Sequence, residues 1–121
     1  MSKRILVVED QEDNRQILRD LLGSAGFEML EAGDGAAAIA AATEHRPDLI
    51  LMDIQLPILD GYEATRRIKA DPALKSIPVI VVTSYALSGD EDRARAAGCD
   101  DYVTKPYSPR ALLAKIRQHL P

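Results

Sequence analysis

The chain has 121 residues, 46% of them apolar and 28% charged, with a formal net charge of −4. That is sequence enough for one globular domain and not two, and it lacks the clustered Lys and Arg of a general nucleic-acid binder. A single cysteine, Cys99, excludes an internal disulfide, and the longest apolar run, 36–42, is far below the roughly 18 residues of a membrane span.

Taken in chain order, Met1-Ser2-Lys3-Arg4 leads straight into a short apolar run, with no secretory core behind it. With the lone thiol this predicts a cytoplasmic protein in a reducing compartment, with no membrane partner. Ile5–Val8 predicts the first strand. A helix over 11–24 follows, with Ile17, Leu18, Leu21 and Leu22 at helical spacing and Gly23 and Gly26 at its end. A weaker strand is predicted at 28–31, where Phe27, Met29 and Leu30 read as core, and then an alanine-rich helix around Ile39 over 36–44. Leu49–Met52 predicts the third strand, and a turn at Asp60-Gly61 leads into a helix over 62–70. Val79–Val82 predicts the fourth strand; Ser88 with Glu91 reads as a capping box, and its helix stops near Gly98. A second weak strand is predicted at 101–104. Ser108-Pro109 then reads as N-cap and first position of a last helix carrying Leu112, Leu113, Ile116 and Leu120.

The three strong strands are apolar on both faces, as parallel strands covered on each side must be. Five β-α units are too few for an eight-stranded barrel. The prediction is a doubly wound α/β domain: a five-stranded parallel sheet of order 2-1-3-4-5 with helices on both faces, filling residues 1–121 with no second or output domain.

Ligands of such sheets bind beyond the carboxyl ends of the strands, where the strand order reverses. Strand 1 ends in Glu9-Asp10, strand 3 in Asp53, strand 4 in Thr83-Ser84 and strand 5 in Thr104-Lys105-Pro106. Any one of these acids alone reads as a turn former or helix cap. Together they place three carboxylates, a hydroxyl and a lysine at one end of the sheet. Two unit charges about 4 Å apart repel by roughly 4 kcal/mol at an effective dielectric near 20. Lys105 offsets part of that repulsion and a divalent cation such as Mg²⁺ the rest. Carboxylate-held Mg²⁺ beside an ammonium is suited to a phosphoryl group.

At this point the chain resembles the response-regulator receiver family over essentially its whole length. The resemblance rests on Val-Val-Glu-Asp at 7–10, Leu-Met-Asp-Ile-Gln-Leu-Pro at 51–57 with Asp60-Gly61 after it, Val-Thr-Ser at 82–84 and Tyr-Val-Thr-Lys-Pro at 102–106. It implies a flavodoxin-like fold and a stand-alone signalling protein rather than a turnover enzyme. Asp53 would accept a phosphoryl group from the phosphohistidine of a sensor histidine kinase or a histidine phosphotransfer protein. Asp10, Asp53 and the backbone carbonyl of Gln55 would ligate Mg²⁺, with Mn²⁺ as a substitute, and Glu9 would hold the metal through water. Lys105 would pair with the phosphoryl group. Thr83 and Tyr102 would form the switch, and the Lys105–Pro106 bond would be cis.

Gln55 and Tyr85, two residues after Asp53 and Thr83, occupy the positions that tune hydrolysis in this family. Bulky Tyr85 is expected to shield the acyl phosphate from water. Kinases or phosphotransfer helices would dock near Asn14, Arg15, Pro106 and Tyr107, and the family also uses the helix 4–strand 5–helix 5 face for homodimers. Cys99 reads as a packing residue, and His45 and His119 as helix-end residues sharing no ligand spacing. A Mg²⁺-dependent aspartyl phosphohydrolase is one rival, but it would need a general acid where Gln55 stands. A flavodoxin-type module is another, but its phosphate loop would fall on acidic 9–13. A pseudo-receiver is a third, set aside because Asp53, Thr83 and Lys105 are all present.

Overall fold

The computed structural model describes residues 2–83, 90–105 and 107–120. The expectations on Ser84, Tyr85, the Ser88–Glu91 capping pair and Pro106 with its cis bond lie outside the described residues. The elements alternate as expected: β1 (Arg4–Val8), α1 (Glu12–Ser24), β2 (Glu28–Ala32), α2 (Gly35–His45), β3 (Leu49–Asp53), α3 (Gly61–Ala70), β4 (Val79–Thr83), α4 (Asp90–Ala96), β5 (Asp101–Thr104) and α5 (Pro109–His119). All strand pairs are parallel and the order is β2-β1-β3-β4-β5.

The period-2 alternation of strands separates two apolar layers. Leu6, Val8, Ile50, Met52, Val79 and Val81 face Ala38 and Ala42 of α2, Ala64 and Ile68 of α3, and Ala94 of α4. Ile5, Val7, Leu49, Leu51 and Ile80 point the other way, onto Leu18 and Leu22 of α1 and Leu112 and Ile116 of α5. Small alanines let α2 lie close to the sheet. Phe27, Met29 and Leu30 are partly buried against the two layers, as expected of core around β2. The segment after α3, which shows no periodicity in sequence, also reaches the core through Leu74 and Ile77.

One side chain departs from its predicted place. Ile17 is 59% exposed. It lies about 100° around the helix from Leu18, off the stripe that Leu18 and Leu22 set against the sheet.

Helix starts follow the capping rules where they bear on the site. Asp34 accepts from the Ala37 N–H at 2.7 Å and Asp60 from the Glu63 N–H at 2.9 Å. Ser108, ahead of Pro109, accepts from the Ala111 N–H at 3.0 Å. Two glycines are fixed by close approach. A Cβ on Gly35 would fall 2.1 Å from the Leu59 carbonyl oxygen, and one on Gly61 2.2 Å from that of Asp53. The entry of α3 is thus pressed against the end of β3. Among the described residues no helix is long and apolar enough to cross a membrane.

Candidate functional site

At the end of β1 the Glu9 N–H donates to the Ala32 carbonyl at 3.0 Å, which carries the strand pairing one residue past Val8. Glu9 is only 3% exposed. Its Oε2 accepts from the Gln11 N–H at 3.2 Å. Asp53 ends β3 and is 6% exposed; its Oδ1 accepts from the Gln55 N–H at 3.0 Å. Lys105 follows β5, and its N–H donates to the Thr83 carbonyl at 2.6 Å, which fastens it to the end of β4. Its ammonium reaches across to Asp53 Oδ2 at 3.2 Å and Glu9 Oε1 at 3.4 Å.

Asp10 is exposed beside this pair. Glu9, Asp10 and Asp53 each offer a carboxylate oxygen, all within 4.8 Å of one another. They line a cleft of roughly 380 Å³ with Gln11, Asn14, Gln55 and Lys105. Three carboxylates therefore face one ammonium. Burial first, and the Asp53 charge second, push the Glu9 carboxyl above its ordinary value, against the pull of Lys105. Burial alone would lower the Lys105 ammonium, but Asp53 and Glu9 outweigh it and hold it above its ordinary value. An all-oxygen donor set left with excess negative charge fits a hard divalent cation such as Mg²⁺.

Among the other expected residues, Asn14 and Gln55 line the cleft, while Tyr102 and Tyr107 line a separate groove with Ala111 and Lys115 of α5. Thr83 ends β4, 2% exposed, one position past Val82, which pairs with Asp53. Tyr102 pairs with Val81 and is partly buried against the layer of α2, α3 and α4. Tyr107 is half-buried against the opposite layer, and that burial pushes its phenol up. Asn14 opens onto the cleft. Arg15 is 21% exposed, and its guanidinium turns inward to the Glu9 carbonyl at 2.8 Å. Cys99 packs against the core, and burial raises its thiol, as a packing role requires. The sequence reading missed the Arg15–Glu9 contact. Its only local trace is the Glu12–Arg15 spacing that suits an ion pair.

Residues 5–117 match the response regulator receiver domain family. The polar-differentiation response regulator DivK of Brucella anthropi is 46% identical, over 99% of this chain and 98% of that protein. The receiver domain of the sensor histidine kinase PA1611 of Pseudomonas aeruginosa, solved with a magnesium ion coordinated in its active site cleft, is 37% identical. It superposes with a TM-score of 0.92 over 99% of this chain and 98% of that one. The chemotaxis response regulator CheY4 of Vibrio cholerae is 27% identical, with a TM-score of 0.91 over 98% of this chain and 99% of that one. Since the match runs along nearly all of its length, this chain belongs to the response-regulator receiver family of two-component signalling.

Proposed function

We propose that the chain accepts a phosphoryl group on Asp53 from the phosphohistidine of a sensor kinase or phosphotransfer protein, and that the modified domain changes its partners or relays the group. The observation that carries this is the sharing of one ammonium, that of Lys105, by two buried carboxylates beside a third. An Asp53 oxygen attacks phosphorus, the bond from phosphorus to the donor imidazole nitrogen breaks, and an acyl phosphate forms. Lys105 is already within bonding distance of Asp53 and neutralises charge on the transferring oxygens. The Gln55 N–H holds the Asp53 carboxylate in a fixed plane. Catalysis here is positioning and electrostatics.

Asp10, Asp53 and the Gln55 carbonyl would hold Mg²⁺ or Mn²⁺, with Glu9 acting through water. When bound, the cation supplies the positive charge that Lys105 alone does not. The product carries about two negative charges and three strong acceptors. Thr83 and Lys105 are drawn toward it, and Tyr102 responds. Asn14, which lines the cleft, with Arg15 next to it and Tyr107 two residues after Lys105, are the proposed docking positions for the donor. Homodimerisation through the separate face of α4, β5 and α5 is a further option.

The test is incubation with acetyl phosphate and Mg²⁺ followed by intact mass. The wild-type protein gains one phosphoryl adduct. Asp53→Ala gains none, and EDTA abolishes the adduct. An adduct on Asp53→Ala, or none on the wild type, would overturn the assignment.

A further inference from the structure

We propose that Arg15 is a positioning residue for the cation site, acting through the backbone of Glu9; this rests on the reading that the acidic cleft binds Mg²⁺. The Arg15 guanidinium makes a hydrogen bond through each of its three nitrogens. Nη1 donates to the Glu9 carbonyl at 2.8 Å. Nη2 and Nε donate to Glu12 Oε2 at 2.7 and 3.1 Å. Nε also lies 3.4 Å from Glu31 Oε1. One side chain of α1 therefore joins the end of β1 to its own helix and to the edge strand β2.

The carbonyl it holds belongs to the peptide between Glu9 and Asp10. Fixing that peptide plane fixes the position of Asp10 Cα, the point from which its side chain leaves the backbone. Glu9 is already anchored by its N–H to Ala32 and by its side chain to Gln11 and Lys105. Asp10 is exposed, and it lies at the turn between β1 and α1. Arg15 thus supplies a tie that keeps an exposed carboxylate in register with two buried ones. Groups that orient metal ligands commonly cost tenfold or more in metal affinity when removed.

Charge and positioning predict opposite signs here. By charge alone, removing a cation from beside a carboxylate cluster tightens the binding of Mg²⁺. By positioning, it weakens binding. Arg19, one turn further along α1, serves as the internal control. It binds the same two carboxylates, Glu31 at 2.6 Å and Glu12 at 3.4 Å, and also Gln16 at 2.6 Å.

The experiment is a calorimetric Mg²⁺ titration of the unphosphorylated protein, with thermal unfolding in EDTA run alongside. Arg15→Gln binds Mg²⁺ about tenfold more weakly than the wild type. Arg15→Lys, which keeps the charge but concentrates its donors on a single nitrogen, falls between the two. Arg19→Gln leaves the affinity unchanged although it disrupts the same ion network. Equal or tighter binding by Arg15→Gln would overturn the proposal, as would an equal loss in Arg19→Gln. A wild-type protein that binds no Mg²⁺ would instead remove the reading beneath it.

Discussion

Glu9 is a carboxylate buried between a second carboxylate and a shared ammonium, and its charge opposes folding. The direction of its pKa says the same: the folded protein holds the proton more tightly than the unfolded chain does. For an acid raised in this way, stability falls as pH rises through the window between the unfolded and folded values. Above that window the unmetallated protein carries the full cost. Glu9→Gln keeps the shape and removes the charge. In EDTA at neutral pH it should raise the melting temperature by a few degrees, the shift that about 1 kcal/mol produces in a domain of this size. Added Mg²⁺ should then stabilise the variant less than the wild type. An unchanged or lower melting temperature in EDTA would show that Lys105 compensates Glu9 completely. The acids and Lys105 were legible in the sequence because a strand end is a place that topology alone specifies. Arg15 was not, because its partners Glu9 and Glu31 come from two strands whose spacing only the folded chain sets. Ile17 misled because an apolar residue beside a helical stripe matches the periodicity without lying on the buried face.

Between elements, β5 and α5 are joined by one carboxylate. Asp101 opens β5 and accepts from Lys115 Nζ at 3.0 Å, while His119 Nε2 lies 3.2 Å from its other oxygen. Its Oδ1 also accepts from the Tyr102 N–H at 2.8 Å. Burial would raise this carboxyl, but the bonds from Lys115, His119 and Tyr102 outweigh it and hold it below its ordinary value of 3.8. A depressed acid contributes stability above its unfolded value and loses it as pH falls through the folded one. Asp101→Asn keeps an acceptor for Tyr102 and removes the charge. It should cost about 1 kcal/mol at neutral pH, since hydrogen bonds to a charged group exceed neutral ones but Lys115 stays partly in water. Urea midpoints of wild type and variant should converge as pH drops below 3.8; a gap that persists there would assign the effect to packing. The elements themselves were legible. Strands apolar on both faces proved central, and the two weaker runs proved to be the edges, β2 and β5. The segment holding Leu74 and Ile77 was not legible, because irregular chain carries no period to read.

Across the whole molecule, the parallel sheet brings every strand's carboxyl end to one edge, so the cleft and the β4–β5 edge form one continuous frame. Lys105 belongs to both. Its ammonium faces Asp53, and its backbone is bonded to Thr83. Three residues upstream in the same chain stands Tyr102, packed over the layer that contains Ala94 and Ala97 at α4. On the proposed function, a charge added at Asp53 would act on Lys105 and so on the chain that also carries the aromatic, and a ligand of this kind biases two states only through contacts that differ between them. Tyr102 is the one aromatic on β5, and it packs against that layer. Replacing it with Ala should leave the cleft intact and remove the readout. Tyr102→Ala is expected to take up the same amount of phosphoryl group from acetyl phosphate as the wild type, measured by intact mass. Amide hydrogen exchange over α5, whose Ala111 and Lys115 line a groove with Tyr102, should change on phosphorylation in the wild type and stay unchanged in the variant. If α5 still responds in Tyr102→Ala, the signal passes through Lys105 and the β5 backbone without the aromatic.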